Sequence, residues 1–257
     1  MTHELLVERD GAVLTVTFNR PEQRNAMTWA MYDGLVAACE QAEEDDSIRV
    51  MVLRGAGSTA FVAGTDISQF ADFSDGADGI AYERRIIAIL DRLESVRVPT
   101  IAAVNGFCVG GGLAIAAVCD IRLATPSARF SVPIARTLGN CLAMNTVSLL
   151  VWQLGAARTL DLLLRARQLT AEQAETAGFV SEIVAEPDLA VRTAEVAATL
   201  AGHAPLTMWA AKEAVRRLRR AALPEGDDIV ARVFGSDDFH EGVAAFLRKQ
   251  PAVWTGH

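Results

Sequence analysis

The stretch Thr100–Cys119, TIAAVNGFCVGGGLAIAAVC, decides the fold. Only Thr100 and Asn105 are polar across its twenty residues, a length that would also suit a membrane helix. Pro99 precedes it, however, and Gly106, Gly110, Gly111 and Gly112 interrupt its middle. A buried strand over Ile101–Val104, a glycine turn and an apolar helix over Gly112–Val118 explain the same residues better. No membrane span is expected.

Working outward, Ile121–Ala124 follows as another strand, and Val50–Arg54 precedes as a buried one. Met27–Glu44 lacks proline and reads as a helix, as does Ile80–Leu93, where Ile86, Ile87, Leu90 and Leu93 recur at helical spacing. Leu5–Glu8 and Val13–Phe18 flank Asp10-Gly11, a hairpin turn. Strands alternating with helices imply parallel pairing and an α/β fold. From Leu142 the pattern becomes almost purely helical, ending with Asp237–Arg248. We therefore expect an α/β core over residues 1–200, carrying the functional sites. A helical region over 201–257 is expected to pack on the core or on another subunit.

Composition narrows the partners. A formal charge of −8 disfavours nucleic acid, which needs a basic face. Cys39, Cys108, Cys119 and Cys141 show no C-x-x-C spacing, and the four histidines lie far from them. Neither a zinc cluster nor a disulfide framework is expected, and reduced thiols fit a cytoplasmic protein. Met1-Thr2-His3-Glu4 lacks the basic and apolar regions of a signal peptide.

Gly55-Ala56-Gly57-Ser58-Thr59-Ala60 matches the dinucleotide fingerprint after a strand. That motif needs a helix to open there, and Phe61-Val62 is too β-like to provide one. The more informative feature is a pair of glycine-bearing turns after buried strands. In Phe61–Ile67 small residues make a turn, with Thr65 or Asp66 able to cap a helix. In Asn105–Gly112 three glycines lead an apolar helix, whose N-terminus offers unpaired N–H donors. Two such donors converging on one oxygen make an oxyanion hole. Glycines also serve merely to let helix and strand pack closely, and on glycine content alone the two readings stand level.

Five segments in order resemble the crotonase (enoyl-CoA hydratase/isomerase) superfamily, and the resemblance covers nearly the whole chain. They are Asn19-Arg20-Pro21 with Asn25-Ala26, Phe61–Ile67, Ala102 through Gly112 to Ile121, Leu169–Val180, and Glu241-Gly242 with Ala245-Phe246 and Lys249. The resemblance implies a spiral of ββα units with a C-terminal helical trimerisation region, assembled as a trimer or a hexamer. It implies an acyl-CoA thioester as substrate, with no metal and no separate cofactor. The amides of Ala63 and Gly111 would form the oxyanion hole. Arg24, Asn25, Ala26, Ala63, Gly64, Asp66, Ile67, Phe107, Gly110, Pro133, Ile134, Phe246 and Lys249 would contact the substrate or its CoA moiety.

The chain departs from that pattern where hydratases of the family carry two glutamates. Ala114 and Ile134 occupy those positions, and neither transfers a proton. Two other residues are candidates. Cys141 follows Gly139-Asn140, and a thiol activated by Arg136 would be a nucleophile; alternatively it is a small buried hydrophobe. Glu83 shares a helix face with Ile86, Ile87 and Leu90, where partial burial would raise its pKa towards proton-transfer range; alternatively it is a solvated helix edge. The reactions left open are hydration or isomerisation of an enoyl-CoA, thioester hydrolysis or C–C cleavage on the same scaffold, and acyl-CoA binding without chemistry.

Overall fold

A computed structural model describes residues 4–257. Among the described residues, ten strands form two sheets. The larger holds β1 (Leu5–Asp10), β2 (Val13–Phe18), β3 (Val50–Gly55), β5 (Thr100–Val104), β7 (Ile121–Ala124) and β10 (Glu182–Ile183), side by side in that order. The smaller holds β4 (Ala60–Val62), β6 (Phe107–Val109), β8 (Arg129–Ser131) and β9 (Gln168–Thr170). The chain passes from β3 to β4, from β5 to β6 and from β7 to β8, so each circuit adds one strand to each sheet. Pairing along both series is parallel; the exceptions are the β1–β2 hairpin and β9. This is the expected ββα spiral.

Helices close each circuit: α1 (Trp29–Glu44), α2 (Gly76–Ser95), α3 (Gly111–Val118), α4 (Ile134–Thr137), α5 (Met144–Leu154), α6 (Ala156–Leu164) and α7 (Ala171–Thr176). Then come α8 (Leu189–Ala201), α9 (Pro205–Arg220), α10 (Asp227–Phe234) and α11 (Asp237–Leu247). Strand β3 shows why its sequence is apolar at successive positions. Met51 and Leu53 face the main core beside Leu35 and Ile115, whereas Val50 and Val52 face a second core with Ala197 of α8. A strand covered on both faces has no reason to alternate.

Tight corners need glycine. Gly106, between β5 and β6, has φ +58°, and a methyl there would sit 1.9 Å from Thr59 O. Backbone cannot yield as a side-chain tip can, and the left-handed conformation adds its own strain. Gly106→Ala is expected to cost at least about 3 kcal/mol, read as a drop in denaturation midpoint.

The C-terminal helices pack on the core of their own chain. Val230, Phe234, Phe239 and Val243 share an apolar cluster with Phe70, Leu138 and Ala143. Residues 100–119 are divided among β5, β6 and α3, and among the described residues no helix is long and apolar enough to cross a membrane. The dinucleotide reading of Gly55–Ala60 fails because the loop leads into strand β4 and no helix opens there. Strands β9 and β10 interrupt the region expected to be almost purely helical; at three and two residues they carry no readable alternation.

Candidate active site

The N-terminus of α3 is set against the turn after β4. Gly112 packs so closely that a methyl on it would lie 2.2 Å from Val62 O. A methyl on Gly111 would lie 3.7 Å from Thr65 N and 2.9 Å from Tyr32 Oη. The main chain at Thr65 and at Gly111 is thus side by side. Gly111 opens α3, whose first amides have no partner within the helix. The Thr65 amide donates no hydrogen bond among the described residues, although Met27 N donates to Gly64 O at 2.8 Å and Asp66 N donates to Met27 O at 2.9 Å.

Ala63, the expected donor of that turn, is corrected here. Its amide is committed to Arg24 O at 3.1 Å and is not free for a ligand. Thr65 was missed because both residues are small and lie in one turn; the distant Arg24 carbonyl decides between them. The Thr65 hydroxyl is itself fixed, 2.9 Å from Tyr32 Oη and 2.9 Å from Tyr82 Oη. Burial pushes the Tyr32 phenol up to about 12 and Tyr82 well above its ordinary value, so both stay neutral near pH 7.

Thr65, Tyr82 and Gly111 border a cavity of about 490 Å³. Of the expected contacts, Arg24, Ala26, Ala63, Gly64, Asp66 and Ile67 line it. Phe107, Gly110, Gly111, Pro133, Ile134 and Phe246 do so too, as does Glu83. Arg24 stacks its guanidinium 5.3 Å from the Phe107 ring centroid. Three expected residues are not on the cavity wall. Asn25 is a buried strut, donating from Nδ2 to Ala56 O and Ala60 O and accepting from Arg20 N. Lys249 is exposed beyond the end of α11. Cys141 packs beside the Phe70–Phe239 cluster.

The two carboxylates on the wall differ in kind. Burial alone would raise Asp66, but hydrogen bonds from Ser68 and Arg20 outweigh it and hold the carboxyl below its usual range. Asp66 caps the turn at Ile67–Phe70 and pairs with Arg20 at 3.0 Å. Glu83 is only 5% exposed, which replaces the solvated-edge alternative for it. Its Oε2 accepts one bond, from Ala143 N at the start of α5, at 3.0 Å. Burial pushes its carboxyl up to about 7, the Ala143 amide offsetting part of the rise. Near neutrality such a group both accepts and donates protons.

Cys141 is corrected as a nucleophile. Burial first, and the negative charge of Glu83 second, push its thiol up to about 12. Arg136 is exposed and absent from the cavity wall, so it supplies no activating charge there. A thiol in that state stays protonated at neutral pH. Cys141→Ala is therefore expected to change turnover less than about two-fold in any assay of CoA thioesters, where a nucleophile's loss would cost orders of magnitude.

Tyr82, Ser131 and Thr146 are among the polar wall residues that carry no sequence signal strong enough to single them out. Each becomes a wall residue only through contacts distant in sequence. Ala114, in the first turn of α3, and Ile134, at the start of α4, also line the cavity and add apolar surface to it.

The family model for enoyl-CoA hydratase/isomerase matches residues 8–257. The chain is 35% identical to a probable enoyl-CoA hydratase of Mycobacterium bovis, over 99% of each chain. It is also 35% identical to 2,3-dehydroadipyl-CoA hydratase of Escherichia coli, over 98% of this chain and 99% of the relative. Among solved structures, methylmalonyl-CoA decarboxylase in complex with 2-nitronate-propionyl-CoA superposes with a TM-score of 0.90, at 26% identity over 99% of each chain. A match this long in sequence, joined to the same spiral fold, assigns the chain to the enoyl-CoA hydratase/isomerase family of the crotonase superfamily.

Proposed function

We propose that this enzyme forms and quenches the enolate of an acyl-CoA thioester, with one carboxylate moving the protons. The thioester oxygen takes hydrogen bonds from Thr65 N and Gly111 N, donors that cost no reorganisation as charge builds on that oxygen. Glu83, whose carboxyl burial raises to about 7, removes a proton from the acyl chain when ionised. The electron pair left on carbon delocalises onto the thioester oxygen. Glu83, now protonated, returns the proton at another carbon of the conjugated system.

The observation that carries this reading is the buried, single-partnered Glu83 carboxyl on the same cavity wall as the two open amides. It favours positional isomerisation of an enoyl-CoA over hydration. Isomerisation needs one proton carrier, whereas hydration must both activate water and deliver a proton to carbon. The test is to supply a 3-enoyl-CoA and follow appearance of the conjugated 2-enoyl thioester, alongside hydration of crotonyl-CoA. Isomerisation exceeding hydration supports the reading, and rapid hydration with no isomerisation contradicts it.

A second reading, C–C cleavage, is favoured by the likeness to methylmalonyl-CoA decarboxylase and by apolar Ala114 and Ile134. A carboxylate held against apolar walls is destabilised relative to the delocalised enolate left when CO₂ departs. Release of CO₂ from methylmalonyl-CoA, surviving in Glu83→Gln, would select this reading. For assembly, we propose a trimer or a hexamer, because α9 leaves Leu206, Trp209, Val215 and Leu218 exposed. Sedimentation equilibrium tests it, and a monomer at micromolar concentration would refute it.

A further inference from the structure

Tyr32 is sealed in the core at 1% exposure, yet its phenol oxygen stands where the two proposed oxyanion donors meet. It lies 2.9 Å from Thr65 Oγ1, and a methyl on Gly111 would come within 2.9 Å of it. One buried oxygen therefore bonds to the residue that carries one amide and stands against the main chain that carries the other.

The chain brings that oxygen there from close by. Met27 bridges the Thr65 turn main chain to main chain, through Met27 N to Gly64 O and Asp66 N to Met27 O. Thr28 caps α1 one residue later, and Tyr32 N donates back to Thr28 O at 3.0 Å. The segment entering α1 thus holds the turn twice, by main chain at Met27 and by a phenol at Tyr32. Thr65 Oγ1 has a second phenol at 2.9 Å, that of Tyr82 on α2. Trp29 packs on both rings, with centroids 5.6 Å and 5.7 Å away, so neither phenol is free to swing.

The turn has use for such a hold. Gly64 sits at φ +102°, and a glycine gives the main chain beside Thr65 little stiffness of its own. An oxyanion donor works only at about 2.7–3.1 Å from the charge it meets, and a misplacement of about 1 Å costs up to about 10²-fold. A hydroxyl that merely satisfied two buried phenols would stabilise the fold and leave rates alone. Tyr32 separates the two cases because it is absent from the cavity wall. Whatever its phenol does for a bound ligand passes through Thr65 or Gly111.

We propose that Tyr32 is a positioning residue whose phenol sets the spacing of the Thr65 and Gly111 amides around the thioester oxygen, with Tyr82 as a second support on Thr65. This rests on the enolate reading above. The test compares binding of 2-nitronate-propionyl-CoA, a likeness of the enolate, with binding of propionyl-CoA by calorimetry. The proteins are the wild type, Tyr32→Phe, Thr65→Val and Thr65→Ser. Both ligands share the CoA moiety and the acyl skeleton, so the ratio of their affinities isolates the response to enolate-like charge.

The wild type is expected to favour the nitronate by about 10²-fold or more. Tyr32→Phe is expected to cut that preference about five-fold and Thr65→Val about ten-fold or more, with propionyl-CoA affinity changed less than about two-fold. Thr65→Ser keeps the hydroxyl and should keep the preference. Turnover should show the same split, as a fall in kcat with KM little changed. An undiminished preference in Tyr32→Phe, shown folded by circular dichroism, would overturn the role of Tyr32 and leave the enolate reading standing. Equal losses in Thr65→Ser and Thr65→Val would overturn the role of the hydroxyl, since its methyl neighbour would then be what holds the turn. Should Thr65→Val fail to fold, Tyr32→Phe decides alone, because it keeps the ring and leaves Thr65 bonded to Tyr82. A wild type that binds both ligands alike would remove the enolate reading and this inference together.

Discussion

Glu83→Gln is expected to lower turnover of the isomerisation substrate by about 10²–10⁴-fold, the usual worth of a positioned acid–base group. The substitution keeps the shape and keeps an oxygen to accept from Ala143 N, so a loss of that size reports proton transfer. The wild-type kcat/KM should rise with pH through an apparent pKa near 7 and then level off, because the ionised form of Glu83 starts the reaction. The variant's residual rate should lose that step.

Stability should move the other way. An ordinary glutamate titrates at 4.5, and burial raises Glu83 to about 7 in the folded chain. Below pH 4.5 the group is protonated in both states and contributes no difference. Between about 4.5 and 7 the unfolded chain releases the proton first, so the folded state loses ground as pH rises. Above 7 the penalty is complete and constant, on the order of 3 kcal/mol at most. Glu83→Gln should therefore raise the melting temperature at pH 8 and change it little at pH 4. A purely structural role for the carboxylate would give the opposite sign at pH 8.

The second large effect concerns the amide at Gly111. Proline is well tolerated at the first position of a helix, where its missing N–H has no partner anyway. Its ring would meet Tyr32 Oη, since even a methyl there lies 2.9 Å away, so the test is made in a Tyr32→Phe background. Gly111→Pro/Tyr32→Phe should lose about 10²–10³-fold in kcat relative to Tyr32→Phe alone, the cost of one oxyanion donor. Circular dichroism and melting should show that the helix persists. Equal rates in the two proteins would mean that the Gly111 amide does not touch the reacting oxygen.

The sequence discloses the large sheet because its strands are apolar runs bounded by turns, and β7 was legible to the residue. The small sheet escaped because β4, β6, β8 and β9 are three residues each, too short for a period to show. Helix α2 begins at Gly76, four residues before the first amphipathic position, because Asp75 and Asp78 form a capping box visible in the sequence but easily passed over. Arg219, one of four arginines at the end of α9, is buried against Glu94 at 2.6 Å. Its helix α9 meets α2 from far along the chain, and no local pattern reports that.

The site follows the same rule. Local sequence marked the glycine turn and the absence of carboxylates at 114 and 134. It left open whether Glu83 is wet or dry, since the one partner of its buried carboxyl, Ala143 N, lies sixty residues further along the chain. Which amide in Phe61–Ile67 stays free was likewise set from outside, by Arg24 O. Side chains that depend on distant partners are where a single sequence says least.

A crystal structure with an acyl-CoA analogue bearing a nitronate at the α-carbon, a stable likeness of the enolate, tests the central claim most directly. The account predicts the analogue's thioester oxygen within about 3.2 Å of both Thr65 N and Gly111 N, with the Glu83 carboxyl facing the acyl chain. A thioester oxygen held by Ala63 N, by side chains alone, or by only one of the two amides would contradict it.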